Sequence, residues 1–192
     1  MKLPRIVLLH GIEGDHPTSG VSQLAPYFAK LGFTIAVPHY GALPFFGLGL
    51  SALINPRVAD SLSNYIKPTD ILVGHSNGGT ISYLVSQRLR VRGCVLIDAA
   101  LSTEELPNAD FNHIYFNPGD WVVRASALIP FNDWGAMGAL GYRGPANRGI
   151  TQIDCSKYPG LPKISGHSTI FKQPNLESWG PFITSLVKQE LK

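Results

Sequence analysis

A serine between glycines separates an apolar run from a helical pattern. Residues 71–79 read ILVGHSNGG, in which Gly74-His75-Ser76-Asn77-Gly78 fits the pattern G-x-S-x-G. On a tight strand-to-helix turn, the two glycines give the backbone room, and the serine hydroxyl rises above the edge of the sheet. The helix that follows offers N–H groups to a developing oxyanion. The pattern predicts Ser76 as a nucleophile; the alternative is a glycine-rich turn that merely ends a strand.

A serine nucleophile needs a base and a carboxylate that orients the base. Asp120 lies in the turn after the apolar run 113–116, and His167 is the only histidine that follows it. The order Ser76, Asp120, His167 is the order in which serine hydrolases with this turn carry their triad. We therefore predict that the three side chains meet, although an aspartate beside Pro-Gly and a single histidine are also common on ordinary surfaces.

Asp98 is a second candidate for the acid. It follows the run Cys94–Ile97, so it too comes directly after a predicted strand. Asp120 is preferred because acid and then histidine, each after one of the last two strands, match the chain order of this mechanism.

Two backbone N–H groups are expected to form an oxyanion hole. One belongs to Asn77, directly after the serine. The other is predicted at Ile12, in the loop His10-Gly11-Ile12 after the first strand, where the glycine lets the backbone approach the substrate.

The elements that must position these residues alternate along the chain. The β-rich apolar runs are Ile6–Leu9, Thr34–Val37, Ile71–Val73, Cys94–Ile97, His113–Phe116 and Ile150–Asp154. Helical stripes include Val21 to Ala29, where Pro26 delays the start and Gly32 ends the pattern; Ile81 to Leu89; and Trp179 to Val187, with Pro181 expected in a first turn. This alternation predicts a mostly parallel sheet with helices on both faces, and such sheets bind ligands at the carboxyl ends of their strands.

Taken together, the motifs resemble the α/β-hydrolase family, at its compact esterase and lipase end. The matching segments are LLHG at 8–11, LAPYFAKLGFTIAVPHY at 24–40, VGHSNGG at 73–79, NPGDWVV at 117–123 and GHS at 166–168. The resemblance implies Ser76 as nucleophile, His167 as general base and then acid, Asp120 as its orienting carboxylate, and acyl transfer to water with no cofactor.

Two features depart from the family pattern. The His-Gly strand begins almost at Met1, so about six strands are expected, without the two that commonly come first in the family. Pro38-His39 stands where many members carry Pro-Asp, so the role of that aspartate is not carried over.

Apolar residues near the predicted site suggest a small-molecule ester substrate. Residues 41–57 are a candidate lid or cap, in which Phe45, Phe46 and Leu48 would contact the substrate together with Trp121. A helix packed into the core is the alternative for this segment. An apolar mouth without an obvious Arg or Lys clamp favours neutral esters or thioesters. An amidase or peptidase with the same triad stays open, as does a binding protein that keeps the fold without the reaction.

Composition excludes several other classes. The 192 residues, 44% of them hydrophobic, suit one domain over 1–192. A net charge of +3 without a basic aromatic stripe predicts no nucleic-acid binding, and no apolar run is long enough for a signal peptide or for membrane insertion. Cys94 and Cys155 lie in apolar segments and are predicted to be buried, reduced thiols, as expected for a protein of the cytoplasm. His10, His39 and His75 lack acidic partners at a ligand spacing, so no metal site is predicted.

Overall fold

The computed structural model describes residues 3–12, 20–40, 50–129, 132–145 and 149–192. Within these residues one parallel sheet has six strands in the order β2-β1-β3-β4-β5-β6. The strands are β1 (Arg5–Leu9), β2 (Thr34–Ala36), β3 (Ile71–His75), β4 (Gly93–Ile97), β5 (Asn112–Phe116) and β6 (Ile150–Asp154). The prediction of an α/β fold with about six mostly parallel strands is confirmed.

Helices connect these strands. They are α1 (Ala25–Lys30), α2 (Ser51–Ser63), α3 (Asn77–Arg88), α4 (Trp121–Ser126), α5 (Met137–Leu140) and α6 (Asn175–Gln189). Two 3-10 turns, Gly20–Leu24 and Thr169–Phe171, precede α1 and α6. Among the described helices, none is long and apolar enough to cross a membrane.

Apolar side chains on both faces of the sheet bury it between helices. Along β1, Ile6 and Leu8 pack into a core that includes residues of α1 and α6, whereas Val7 and Leu9 pack with residues of α2 and α3. Successive side chains of a strand point to opposite faces, so a strand covered on both sides must be apolar throughout. All five residues of β3 and of β4 are buried, which places the most protected strands directly beneath the predicted serine.

The C-terminal helix begins earlier than predicted. Pro181 was expected in a first turn, but α6 starts at Asn175 and holds Pro181 inside the helix. Leu176 is buried and extends the stripe of Trp179, Ile183 and Val187 by one turn towards the N-terminus. The spacing of Leu176 was therefore the signal for the earlier start.

The described part of the candidate cap is helical. Residues 51–57 form the first half of α2, which packs against α3, and Ser51 and Asn55 are buried while Leu50 and Leu53 are exposed. Residues 41–49 lie outside the described residues, and with them Phe45, Phe46 and Leu48.

Candidate active site

Ser76 occupies a strained turn between β3 and α3. Its backbone angles are φ 54° and ψ −124°, and the helix begins at the next residue, Asn77. Its N–H donates to the carbonyl of Ile97 at 3.1 Å, and its carbonyl accepts from the N–H groups of Gly79 at 2.9 Å and Ala100 at 3.0 Å. A positive φ is costly for a residue with a side chain, so these backbone bonds hold a conformation that the serine would not otherwise adopt.

The glycines of the motif are required by close packing. A Cβ on Gly78 would overlap the carbonyl oxygen of Leu9 in β1, and one on Gly74 would overlap the carbonyl of Gly78. A Cβ on Gly11 would lie 3.1 Å from the Cβ of Ser76 and 3.5 Å from its hydroxyl oxygen. The loop after β1 therefore passes directly against the serine, as expected for a loop that supplies an oxyanion donor.

Asp120 and His167 are hydrogen-bonded to each other. Nδ1 of His167 lies 2.8 Å from Oδ2 of Asp120, and the carboxylate, which can only accept, sets Nδ1 as the protonated nitrogen. Asp120 is fully buried, and its Oδ1 also accepts the N–H of Val123 at 3.1 Å at the start of α4. The ring of His167 lies 4.9 Å, centroid to centroid, from the ring of His75, the neighbour of Ser76. The three predicted residues thus lie at one edge of the sheet.

Asn117, whose role sequence reasoning missed, ties the loop that carries Asp120 to the loop that carries His167. This fully buried residue follows β5. Its amide Nδ2 donates to the carbonyl of Gly166 at 3.1 Å, and its Oδ1 accepts the N–H of Gly119 at 3.0 Å. One side chain therefore fixes both the turn that carries Asp120 and the residue before His167. The signal was an asparagine at the end of a buried strand.

Asp98, the second acid candidate, is buried close to the same histidine. Its φ is 46°, and it is 2% exposed. Burial raises its pKa to about 7, with Asp120 adding to the rise, while His167 and a hydrogen bond from the backbone of Ser168 oppose it. Its Oδ2 has no hydrogen-bond partner among the described residues. The hydrogen bond to Nδ1 of His167 is thus made by Asp120, the acid that the sequence favoured.

His75 and Ser168 complete the surroundings of the histidine. Nε2 of His75 lies 3.1 Å from the hydroxyl of Ser168, which has a φ of 60°. Burial, and secondarily His167, lowers the pKa of His75 well below 6.5, so its ring is neutral at neutral pH. Atoms of His75, Asp98 and His167 that could bind a metal lie within 4.8 Å of one another. Since Asp120 and Ser168 already bond the two histidines, we interpret this group as part of the hydrogen-bonded cluster around His167.

Three other predicted site residues, Asn77, Ile12 and Trp121, lie next to residues at the same edge of the sheet. Asn77 is the first residue of α3, and Ile12 follows Gly11, which packs on the serine. Trp121 follows Asp120 directly and is 69% exposed. His10, by contrast, stacks on Tyr40 with ring centroids 3.9 Å apart, an arrangement typical of packing.

Solved structures share this architecture. No protein-family model and no curated protein matches the sequence. An alpha/beta hydrolase enzyme from the metagenome of sediments of the Mar Chica lagoon in Morocco is similar over 99% of this chain and 93% of its own, with a TM-score of 0.58 and 15% identity. A proposed hydrolase of the alpha/beta superfamily from Xanthomonas campestris pv. campestris is similar over 97% of this chain and 99% of its own, with a TM-score of 0.56 and 17% identity.

A pyrethroid hydrolase is similar over 99% of this chain and 100% of its own, with a TM-score of 0.55 and 13% identity. Identities this low transfer a fold and no substrate. The strand order, the turn at Ser76 and these whole-chain similarities agree, and the chain has the α/β-hydrolase fold.

Proposed function

We propose that the protein is a serine hydrolase that cleaves a carboxylic ester or thioester through an acyl-enzyme intermediate. The observation that carries the proposal is the 2.8 Å bond between His167 and Asp120 at the edge where the strained turn presents Ser76. A hydroxyl, an imidazole and a carboxylate in this order are the groups that acyl transfer requires.

In the first half of the reaction, Ser76 attacks the acyl carbon. The hydroxyl proton passes to Nε2 of His167 as the Oγ–C bond forms, and the carbonyl π electrons move onto oxygen. The N–H groups of Ile12 and Asn77 stabilise that oxyanion. When the carbonyl reforms, the bond to the leaving oxygen or sulfur breaks, and the alcohol or thiol takes the proton from His167. The acyl group then remains on Ser76.

In the second half, water replaces the alcohol. His167 takes a proton from the water as its oxygen bonds to the acyl carbon, and the oxyanion forms again in the same hole. The bond to Oγ breaks, Ser76 recovers its proton from His167, and the carboxylic acid leaves. Asp120 keeps Nδ1 protonated and stabilises the imidazolium in both halves. The mechanism requires no group beyond these residues and water.

For the substrate we propose a neutral, partly apolar acyl group. Trp121 beside the acid is largely exposed, and the residues proposed for substrate contact, Phe45, Phe46, Leu48 and Trp121, carry no charge. Apolar side chains around a substrate do not offset the free-energy cost of removing a charged group from water. A short-to-medium acyl ester therefore fits better than a phosphorylated or strongly anionic compound.

Two measurements test the proposal. A fluorophosphonate probe should label the wild-type protein and leave Ser76→Ala unlabelled, and p-nitrophenyl esters of increasing acyl length should be hydrolysed. Ser76→Ala should lose about 10⁴-fold or more in kcat, because no other group can form the acyl-enzyme. A folded wild type that neither reacts with the probe nor cleaves any ester would contradict the proposal. Cleavage of amides but not esters would retain the triad and replace the substrate class.

A further inference from the structure

A buried network of side-chain hydrogen bonds surrounds Asn77, the residue after the serine. Oδ1 of Asn77 accepts from Nδ2 of Asn55 at 2.8 Å and from Nε1 of Trp134 at 2.6 Å, and its own Nδ2 donates to Oδ1 of Asn55 at 3.1 Å. Nδ2 of Asn55 also donates to the Asp133 carboxylate, with both oxygens at 3.1 Å. Asn55, Asn77 and Trp134 are 1%, 3% and 8% exposed, so the bonds among these three side chains are buried, while those to Asp133 are partly buried.

Groups with only one hydrogen-bonding role fix the direction of these bonds. The indole N–H of Trp134 can only donate, so the atom of Asn77 facing it must be the amide oxygen. The carboxylate of Asp133 can only accept, so the atom of Asn55 facing it must be the amide nitrogen. Each requirement alone gives the same orientation of the Asn55–Asn77 pair. The network therefore has one self-consistent arrangement, which is a condition for rigid positioning.

The network joins three separate parts of the fold. Asn55 lies in α2, Asn77 begins α3, and Asp133 and Trp134 lie in the loop before α5. In that loop the N–H of Trp134 donates to Oδ1 of Asn132 at 3.0 Å, which braces the loop locally. These residues lie outside the described strands and apolar clusters, and a buried polar network is costly unless every member is satisfied. The position of Asn77 directly after Ser76 connects the network to the proposed reaction.

The geometry points to a positioning role: the Asn55–Trp134 clamp holds Asn77 so that its backbone N–H is aimed at the oxyanion. This inference rests on the proposed function. That N–H shares a peptide plane with the Ser76 carbonyl, which the N–H groups of Gly79 and Ala100 hold from one side. The clamped side chain fixes the Asn77 Cα–Cβ bond on the other side of the plane. Asn55 and Trp134 are thus positioning residues, because they act through Asn77 and do not touch the reacting atoms.

A misaimed oxyanion donor weakens binding of the transition state more than binding of the ester. The full negative charge exists only after attack, so loss of the clamp should lower kcat and leave KM nearly unchanged. Removal of a whole oxyanion donor costs about 10²–10³ in kcat, so a displaced donor should cost about ten- to a hundredfold.

Trp134→Phe is the direct test, since it removes the Nε1–H and keeps an aromatic ring. Trp179→Phe is the matched control: Trp179, in α6, is also buried, and its Nε1 donates to the carbonyl of Pro162 at 2.9 Å. Both variants should lose stability, but only Trp134→Phe should lose kcat at constant KM. Its affinity for a trifluoromethyl ketone, which forms an oxyanion on Ser76, should fall by the same factor as kcat.

Equal kcat values in the two tryptophan variants, with wild-type esterase active, would overturn the inference and leave the proposed function standing. A folded wild type without esterase activity would instead contradict the proposed function. If Trp134→Phe does not fold, Asn55→Ala removes the other side of the clamp and is measured in the same way. Wild-type kcat and ketone affinity in folded Asn55→Ala would also overturn the inference.

Discussion

Asp120 has two hydrogen-bonding roles that can be separated. Oδ2 faces Nδ1 of His167, while Oδ1 accepts the N–H of Val123 and so caps α4. An N-cap typically contributes about 1 kcal/mol to stability. An alanine at this position would therefore remove a helix cap together with the orienting charge.

Asp120→Asn separates these roles. The amide oxygen can still accept from Val123, but the amide nitrogen must then donate to Nδ1 of His167, which leaves the proton on Nε2, the wrong nitrogen for a base. We expect kcat for ester hydrolysis to fall about 10⁴-fold with little change in Tm. Steady-state kinetics and thermal unfolding of the same preparation would check both.

Asp98 supplies the outcome that would contradict this prediction. It lies near His167 and, in the intact protein, leaves the bond to Nδ1 to Asp120. If Asp120→Asn kept activity within tenfold of wild type, and Asp98→Asn combined with it abolished the remainder, Asp98 rather than Asp120 would be the orienting acid.

At the scale of elements, the loops after β5 and β6 form one unit held by Asn117. The bonds of its amide to Gly166 and Gly119 link the acid turn to the base turn. Asp120 and His167 are 47 residues apart in sequence, and the side chain of Asn117 gives their loops a common position.

Asn117→Asp should loosen that unit. The carboxylate still accepts from Gly119 but cannot donate to Gly166, and it repels that carbonyl. We expect a loss of about 1–3 kcal/mol in the free energy of unfolding and about ten- to a hundredfold in kcat/KM. Urea unfolding and ester kinetics would measure these changes.

Asn112→Asp is the matched control at the opposite end of β5. Asn112 is also buried, and its Nδ2 donates to the carbonyl of Pro107 at 3.2 Å. It should lose stability without losing activity. Equal losses of activity in the two variants would show that Asn117 matters only for folding.

Much of this element structure was predictable from the sequence, for a physical reason. Strands covered on both faces are apolar almost throughout, so β3 and β4 appear in the sequence as continuous apolar runs. The turn at Ser76 is recognisable from Gly74 and Gly78, which close packing requires. The predicted start of α6 is too late, because a proline is typical of a first helical turn and Pro181 instead lies inside the helix, where Leu176 continues the buried stripe towards the N-terminus. The bonds of Asn77 to Asn55 and Trp134 span 22 and 57 residues, and no periodicity links such polar residues.

For the whole molecule, buried ionisable groups make stability depend on pH in opposing directions. Burial raises the pKa of Asp98 from 3.8 to about 7, and burial lowers the pKa of His75 and of His113, the latter despite Glu190. Between pH 4 and 7 the unfolded chain ionises Asp98 while the folded chain keeps it protonated, so this group costs stability as pH rises. His75 and His113 have the opposite effect. As pH falls below about 6.5, these histidines bind protons in the unfolded chain but not in the folded one, so the free energy of unfolding decreases.

Asp98→Asn isolates the carboxyl contribution. Asparagine tolerates the same positive φ and does not ionise. The stability of Asp98→Asn relative to wild type should therefore rise by roughly 4 kcal/mol from pH 4 to pH 8, in proportion to the pKa difference. Urea unfolding of both proteins across this range would measure it, and a difference that stays constant with pH would contradict the raised pKa.

The backbone bonds of Ser76 have a practical consequence. Because Ile97, Gly79 and Ala100 hold this turn through main-chain atoms, the conformation of the turn does not depend on the hydroxyl. An immobilised protein with alanine at position 76 should therefore retain compounds that it can no longer convert. Mass spectrometry of the small molecules eluted from such a bait, compared with those eluted from the active protein, would identify candidate substrates of the proposed hydrolase.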